Sequence, residues 1–268
     1  MPHLLINGCQ LYYEEHGKGP ETILFSHGLL WSGKMFAKQV EVLKADYRVI
    51  TYDHRGQGQS EVTPSGYGMD QLYQDAVQLI DTLELGPVHM AGLSMGGFVG
   101  MRVAARRPDL VRSLILMETS AEPEPNRFKY QLLSTIVRFF GVGPVVSTVM
   151  DIMFGDKFLK DTNRTSEREY WASQLRQLDR SITKAVGGVI LRKGVEDELG
   201  NIQCPTLILV GTDDKATAPP KSEFIHQHIP HSDLIYVERG GHTSCVEEPE
   251  AYNRAISAFL TEPVGQQV

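Results

Sequence analysis

The chain has 268 residues, of which 41% are hydrophobic and 22% charged, so it can form one large globular core with an insertion. The formal net charge of −7 and the lack of a basic cluster argue against nucleic acid as a partner, and no apolar run is long enough to span a membrane. Cys9, Cys204 and Cys245 have no metal-ligand spacing, and no secretory signal is recognisable. We therefore expect free thiols, no metal, no cofactor and a cytoplasmic location.

The first part of the chain alternates strand patterns with helical ones. HLLING and QLYYEEHG meet at an Asn-Gly turn signal and predict a β-hairpin. In chain order there follow a strand (ETILFSHG), a helix (MFAKQVEVL), a buried strand with a glycine-rich loop (YRVITYDHRGQGQS), and an amphipathic helix (MDQLYQDAVQLIDTLELG). The chain then continues with a predicted strand (VHMAGL), a helix (FVGMRVAARRP) and another strand (VRSLILMETS). This alternation is typical of a mostly parallel sheet covered on both faces.

The pattern changes between residues 121 and 199, where helical stretches rich in large apolar residues replace the strands. The strand pattern resumes with CPTLILVGTDD, followed by a helix (KSEFIHQHIP), a strand (SDLIYVE) and a last helix (EEPEAYNRAISAFL). We therefore predict an α/β core formed by residues 1–120 and 200–268. Residues 121–199 would form a helical cap over it.

One serine lies among glycines where a buried strand meets a helix. Gly92-Leu93-Ser94-Met95-Gly96 fits G-x-S-x-G, a sharp turn that exposes a serine hydroxyl as a nucleophile. The alternative is a glycine-rich helix start with an N-capping serine. The strand-to-helix context favours the nucleophile. A serine hydroxyl then needs a base, an acid that orients the base, and donors for the oxyanion.

The base and the acid are sought after Ser94 in the chain. His242 lies in a glycine-rich loop between the last strand and the last helix, where a loop can direct it toward the edge of the sheet. Three acids directly follow predicted strands: Glu118, Asp213 and Asp214. We choose Asp214 and interpret Asp213 as a turn residue.

The oxyanion donors are expected to be two backbone amides. One is the N–H of Met95, the residue after the nucleophile. The other is the N–H of Leu29, which follows His27-Gly28 in the loop after the third strand.

Taken together, these motifs resemble those of α/β-hydrolase-fold serine hydrolases over essentially the whole chain. The motifs are HG at residues 27–28, DHRGQGQS at 53–60, GLSMGG at 92–97, GTDD ending at Asp214, and GGH ending at His242. The resemblance implies the α/β-hydrolase fold, a catalytic triad of Ser94, Asp214 and His242, and a helical cap. It also implies a mainly structural role for the DHRGQGQS loop.

Finer resemblances separate the candidate activities. Haloalkane dehalogenases and epoxide hydrolases use an aspartate nucleophile, so Ser94 argues against both, and HGLLWSG departs from the oxyanion loop of meta-cleavage hydrolases. Three motifs resemble those of 3-oxoadipate enol-lactonases: ARRPDLV, GLSMGG and CVEEPEAY. The oxyanion loop of those enzymes, however, is replaced here by SHGLL. Carboxylesterases and cofactor-free perhydrolases share HG and SMGG. We expect a hydrolase of small to medium, largely apolar esters. The alternatives are an enol-lactone hydrolase and a triad-bearing small-molecule receptor with slow turnover.

Overall fold

The computed structural model describes residues 2–261, which contain one eight-stranded sheet with the strand order β1-β2-β4-β3-β5-β6-β7-β8. The strands are β1 (His3–Ile6), β2 (Cys9–His16), β3 (Thr22–Ser26), β4 (Arg48–Tyr52), β5 (Val88–Leu93), β6 (Val111–Met117), β7 (Thr206–Gly211) and β8 (Ser232–Val237). β1 and β2 pair antiparallel, β2 pairs antiparallel with β4, and the remaining strands are parallel. The predicted mostly parallel sheet is confirmed.

The hairpin of β1 and β2 turns at the predicted Asn-Gly pair. Asn7 and Gly8 have φ values of 44° and 72°. Two successive positive φ angles are what a two-residue hairpin turn requires, and asparagine and glycine adopt them most readily. The local sequence is therefore sufficient to form this turn.

Helices cover both faces of the sheet. They are α1 (Ala37–Leu43), α2 (Met69–Thr82), α3 (Met95–Arg106), α4 (Arg127–Phe140), α5 (Val146–Met153), α6 (Asp156–Lys160), α7 (Thr165–Arg176), α8 (Ile182–Ile190), α9 (Pro219–His228), α10 (Ser244–Glu247) and α11 (Pro249–Thr261). Along β7, Leu207 and Leu209 enter the apolar cluster that contains α1 and α11, whereas Ile208 enters the cluster that contains α2, α3 and α9. Side chains of a strand alternate between faces, so a strand that is apolar at every position has both faces buried.

Five helices, α4 to α8, occupy the segment between β6 and β7, and within that segment the structure has no strand. Most of their buried side chains join the cluster on the α1 and α11 side of the sheet. Among residues 2–261, no helix combines the length and the apolar character that crossing a bilayer demands.

Candidate functional site

Ser94 lies in a strained turn between β5 and α3, with φ 52° and ψ −112°. The turn brings the backbone of α3 against two neighbouring segments. A Cβ on Gly92 would lie 2.3 Å from the carbonyl oxygen of Gly96, and one on Gly96 would lie 1.8 Å from that of Ser26. Only glycine permits such approaches. The glycines around Ser94 are thus explained by the tight backbone that presents its hydroxyl at the end of the sheet.

His242 connects Ser94 to Asp214. Nε2 of His242 lies 2.9 Å from Oγ of Ser94, and Nδ1 lies 3.0 and 3.1 Å from the carboxylate oxygens of Asp214. All three side chains are buried. Asp214 also accepts hydrogen bonds from the amides of Ala216 and Thr217 and from the Thr217 hydroxyl. Burial alone would raise the pKa of Asp214, but the His242 imidazole and the bonds from Thr217 outweigh it and lower the pKa below its ordinary value.

The other two acid candidates are placed differently. Asp213 is partly exposed, and its amide donates to the carbonyl of Gly240. Glu118 is fully buried and accepts hydrogen bonds from the hydroxyls of Ser244 and Tyr252. Burial raises the pKa of Glu118 well above its ordinary value. Of the three candidates, the structure places Asp214 alone within hydrogen-bonding distance of His242.

Leu29 lies in the loop after β3 and lines the same cavity as Ser94, and Met95 follows Ser94 as the first residue of α3. Within residues 2–261, neither amide donates to a protein acceptor. The neighbouring amide of Leu30 is occupied, because it donates to Oε1 of Gln57 over 2.8 Å while Leu30 adopts a φ of 74°. Gln57 therefore fixes this loop and leaves the Leu29 amide available to a ligand.

His27 holds the start of the same loop. The amide of His54 donates to its Nε2 over 2.9 Å, so Nδ1 carries the proton and donates to the carbonyl of Gly28 over 2.7 Å. Burial lowers the pKa of His27, which keeps the ring neutral and this pattern intact. The HG pair thus positions the loop after β3, and the DHRGQGQS loop supports it through His54 and Gln57.

A cavity of about 130 Å³ opens onto Ser94 and His242. Most of its wall is apolar, formed by Leu29, Leu133, Val137, Val145, Val149, Ile152, Met153, Ile182 and Val186. Its charged lining consists of Arg192 and Glu124, which form a 2.8 Å ion pair. No three histidine, cysteine or acidic side chains among residues 2–261 are arranged to hold a metal ion. The cavity therefore suits an uncharged, largely apolar molecule.

Glu247, which sequence analysis did not single out, joins the His242 loop to the helical segment. Its carboxylate accepts from the amide of Gly155, between α5 and α6, at 2.9 Å, and from that of Gly241 at 3.2 Å. Gly241 immediately precedes His242. Burial raises the pKa of Glu247 to about 7. The only sequence signal was a pair of acids, Glu247 and Glu248, shortly after His242, and such a pair does not reveal which of the two is buried.

Removing the Glu247 carboxylate should destabilise the protein and displace His242. Glu247→Leu leaves two buried amides without acceptors, at a cost of roughly 1–3 kcal/mol each in the free energy of unfolding. Glu247→Gln keeps an oxygen for them and should retain most of the stability. Chemical denaturation and turnover would be measured for both, with Glu250→Leu as an exposed control. Equal stability of Glu247→Leu and Glu250→Leu would contradict this role.

The raised pKa of Glu247 also predicts that the free energy of unfolding depends on pH in the wild type and less so in Glu247→Gln. The folded protein binds the Glu247 proton up to about pH 7, whereas the unfolded chain releases it near the ordinary pKa of 4.5. This group's contribution to the free energy of unfolding is therefore greatest below about pH 4.5, falls as the pH rises to about 7, and stays low above that. Glu247→Gln should lack this decline.

The chain is similar to known hydrolases over most of its length. The chain is 26% identical to a putative carbamate hydrolase RutD of Stutzerimonas stutzeri, with 96% of this chain and 98% of that one aligned. It is 29% identical to 3-oxoadipate enol-lactonase 2 of Acinetobacter baylyi, over 89% and 88% of the two chains. A thermophilic esterase from Thermogutta terrifontis superposes with a TM-score of 0.89 at 27% identity, covering 97% of each chain. The family model for the alpha/beta hydrolase fold matches residues 21–249, so the chain belongs to the α/β hydrolase fold family.

Proposed function

We propose that this α/β hydrolase is a serine carboxylic-ester hydrolase that acts on small to medium, largely apolar esters. The observation that carries the proposal is the hydrogen-bonded series of Ser94 Oγ, His242 Nε2 and the Asp214 carboxylate at the wall of an apolar cavity. Turnover of p-nitrophenyl acetate and butyrate tests it directly, with an expected kcat of about 1–10³ per second. A rate orders of magnitude lower on every ester and lactone tried would instead favour a small-molecule receptor.

In the proposed reaction, Ser94 Oγ attacks the ester carbonyl as His242 Nε2 removes its proton. Asp214 accepts the Nδ1–H of His242, holds the ring in the required tautomer and stabilises the imidazolium. The amides of Leu29 and Met95 donate to the oxyanion. His242 then protonates the leaving alcohol, and an acyl-enzyme on Ser94 remains. A water molecule, deprotonated by the same histidine, attacks this acyl group. The bond to Ser94 Oγ then breaks, His242 returns the proton to that oxygen, and the carboxylic acid is released.

We further propose that residues 121–199 act as the cap that defines the substrate pocket. Three helices of this segment, α4, α5 and α8, supply most of the apolar wall, including Leu133, Val149 and Ile182. Helix α4 carries three cations that could bind an anionic substrate: Arg127, Lys129 and Arg138. The structure exposes all three to solvent, and none of them lines the cavity. Arg192 does line it, but Glu124 neutralises its charge.

Neutral esters should therefore be preferred over anionic ones of equal length. A free carboxylate buried in this cavity would lack a cationic partner, and a penalty of a few kcal/mol corresponds to at least roughly 100-fold in kcat/KM. The matched pair is p-nitrophenyl butyrate and the p-nitrophenyl monoester of succinate. A preference for the succinate ester, or for a carboxylate-bearing enol-lactone, would contradict this assignment. It would favour the enol-lactonase reaction named for the Acinetobacter relative.

A further inference from the structure

Helix α4 exposes an unusual set of large apolar side chains. Phe128, Leu132, Phe139 and Phe140 are 82%, 55%, 64% and 72% exposed. Phe128, Leu132 and Phe139 lie on one side of the helix, at spacings of four and seven residues. None of these four side chains packs in an apolar cluster of the core or lines the cavity. We call the surface formed by Phe128, Leu132 and Phe139 the outer face of α4.

Positive charges border the outer face. Arg127 and Arg138 lie on one side of it and Lys129 on the other, and all three are exposed. The 14 residues of α4 contain no acidic side chain. Among residues 2–261, none of the three cations forms an ion pair within the chain. On a chain with a net charge of −7, α4 is therefore a local cationic and apolar patch.

The opposite face of α4 fixes the helix in place. Tyr130, Leu133, Ser134 and Val137 line the cavity that opens onto Ser94. Rotating the helix to bury Phe128 and Phe139 would withdraw these side chains from the cavity. The outer face is therefore presented to solvent by the packing of the inner one, and it remains available to an external partner.

The charges decide which partner fits. A two-fold dimer built on this face would place α4 against its own copy, bringing six cations together without an acid between them. An acidic peptide would need a groove, whereas α4 presents a convex helical surface. Helices that bind in the plane of an anionic lipid surface carry phenylalanine and leucine on one side and arginine and lysine along the flanks. We propose that the outer face of α4 docks on anionic lipid.

Docking of this kind is independent of the proposed ester hydrolysis, so either can fail without the other. Where both hold, the cap would lie against the lipid, and apolar esters would have a short route into the cavity between α4 and Ser94. Each cation near an anionic surface contributes enough that neutralising all three should weaken binding on the order of 100-fold. The apolar side chains should contribute at least as much to the binding free energy, because each of them is large and inserts into the lipid interface.

Vesicle co-sedimentation tests the proposal. The full chain should bind vesicles of phosphatidylglycerol and phosphatidylcholine more tightly than vesicles of phosphatidylcholine alone, and added salt should weaken binding. The double variant Phe128→Ser/Phe139→Ser and the triple variant Arg127→Gln/Lys129→Gln/Arg138→Gln should each bind about 100-fold less tightly. Leu5→Ser is the control, because Leu5 is 66% exposed on the edge strand β1. Circular dichroism and turnover of a water-soluble ester should match wild type in all three.

Three results would overturn the proposal. The first is no binding to either kind of vesicle. The second is equal affinity for both kinds of vesicle, or a loss of vesicle affinity in Leu5→Ser that equals the loss in the double variant. The third is a wild-type dimer, seen by sedimentation velocity, that Phe128→Ser/Phe139→Ser dissociates while vesicles are not bound. That result would assign the outer face of α4 to a second copy of the chain.

Discussion

Ser94→Ala should reduce ester turnover roughly 10⁶-fold, the size of loss seen when the nucleophile of a cooperating triad is removed. The side chain of Ser94 makes its hydrogen bond to His242, and the adjacent Thr119 hydroxyl bonds to the Ser94 carbonyl, which alanine retains. The fold should therefore be unchanged. The measurement is kcat for p-nitrophenyl butyrate, accompanied by circular dichroism and by labelling with a fluorophosphonate.

Ser134→Ala is the matched control for this experiment. Ser134 also lines the cavity, but it lies on α4 and forms no hydrogen bond with His242. It should keep turnover close to wild type and leave labelling unchanged. Covalent labelling at any residue other than Ser94, or undiminished turnover in Ser94→Ala, would show that the nucleophile has been misassigned.

Asp214→Asn should lower turnover on the order of 10⁴-fold, as the corresponding change does in serine proteases. An asparagine can preserve the acceptor for the amides of Ala216 and Thr217, so the loop after β7 should keep its shape. It cannot supply the negative charge that stabilises the imidazolium of His242. Its NH₂ group can also donate to Nδ1, which would stabilise the tautomer that cannot take the proton of Ser94.

Two variants serve as controls for the acid. Asp213→Asn changes a partly exposed turn residue and should cost far less in turnover than Asp214→Asn. Glu118→Gln keeps an oxygen acceptor for the hydroxyls of Ser244 and Tyr252 and should also remain active. If Asp214→Asn stays near wild type while either control loses activity, the acid is the residue changed in that control.

The sequence by itself determined the features that depend on neighbouring residues. Strand and helix periodicity predicted the parallel sheet, and the Asn-Gly pair predicted the turn between β1 and β2. The glycines around Ser94 predicted a tight turn because only they allow the backbone to pass so close to itself. The alternation of strands and loops also placed the candidate residues after β3, β5, β7 and β8, whose carboxyl ends lie at one edge of a parallel sheet.

Only the tertiary structure decided which of these groups meet. Ser94 and His242 are 148 residues apart in the chain, and their hydrogen bond depends on the order in which the strands assemble. Asp214 and Glu118 both follow strands, but only the folded loops decide that Asp214 faces the imidazole while Glu118 faces Ser244. The role of Glu247 likewise depends on its burial between two loops. Periodicity showed that α4 has apolar positions, but exposure depends on what packs against each face. The phenylalanines of α4 are exposed because the opposite face of this helix packs against the cavity.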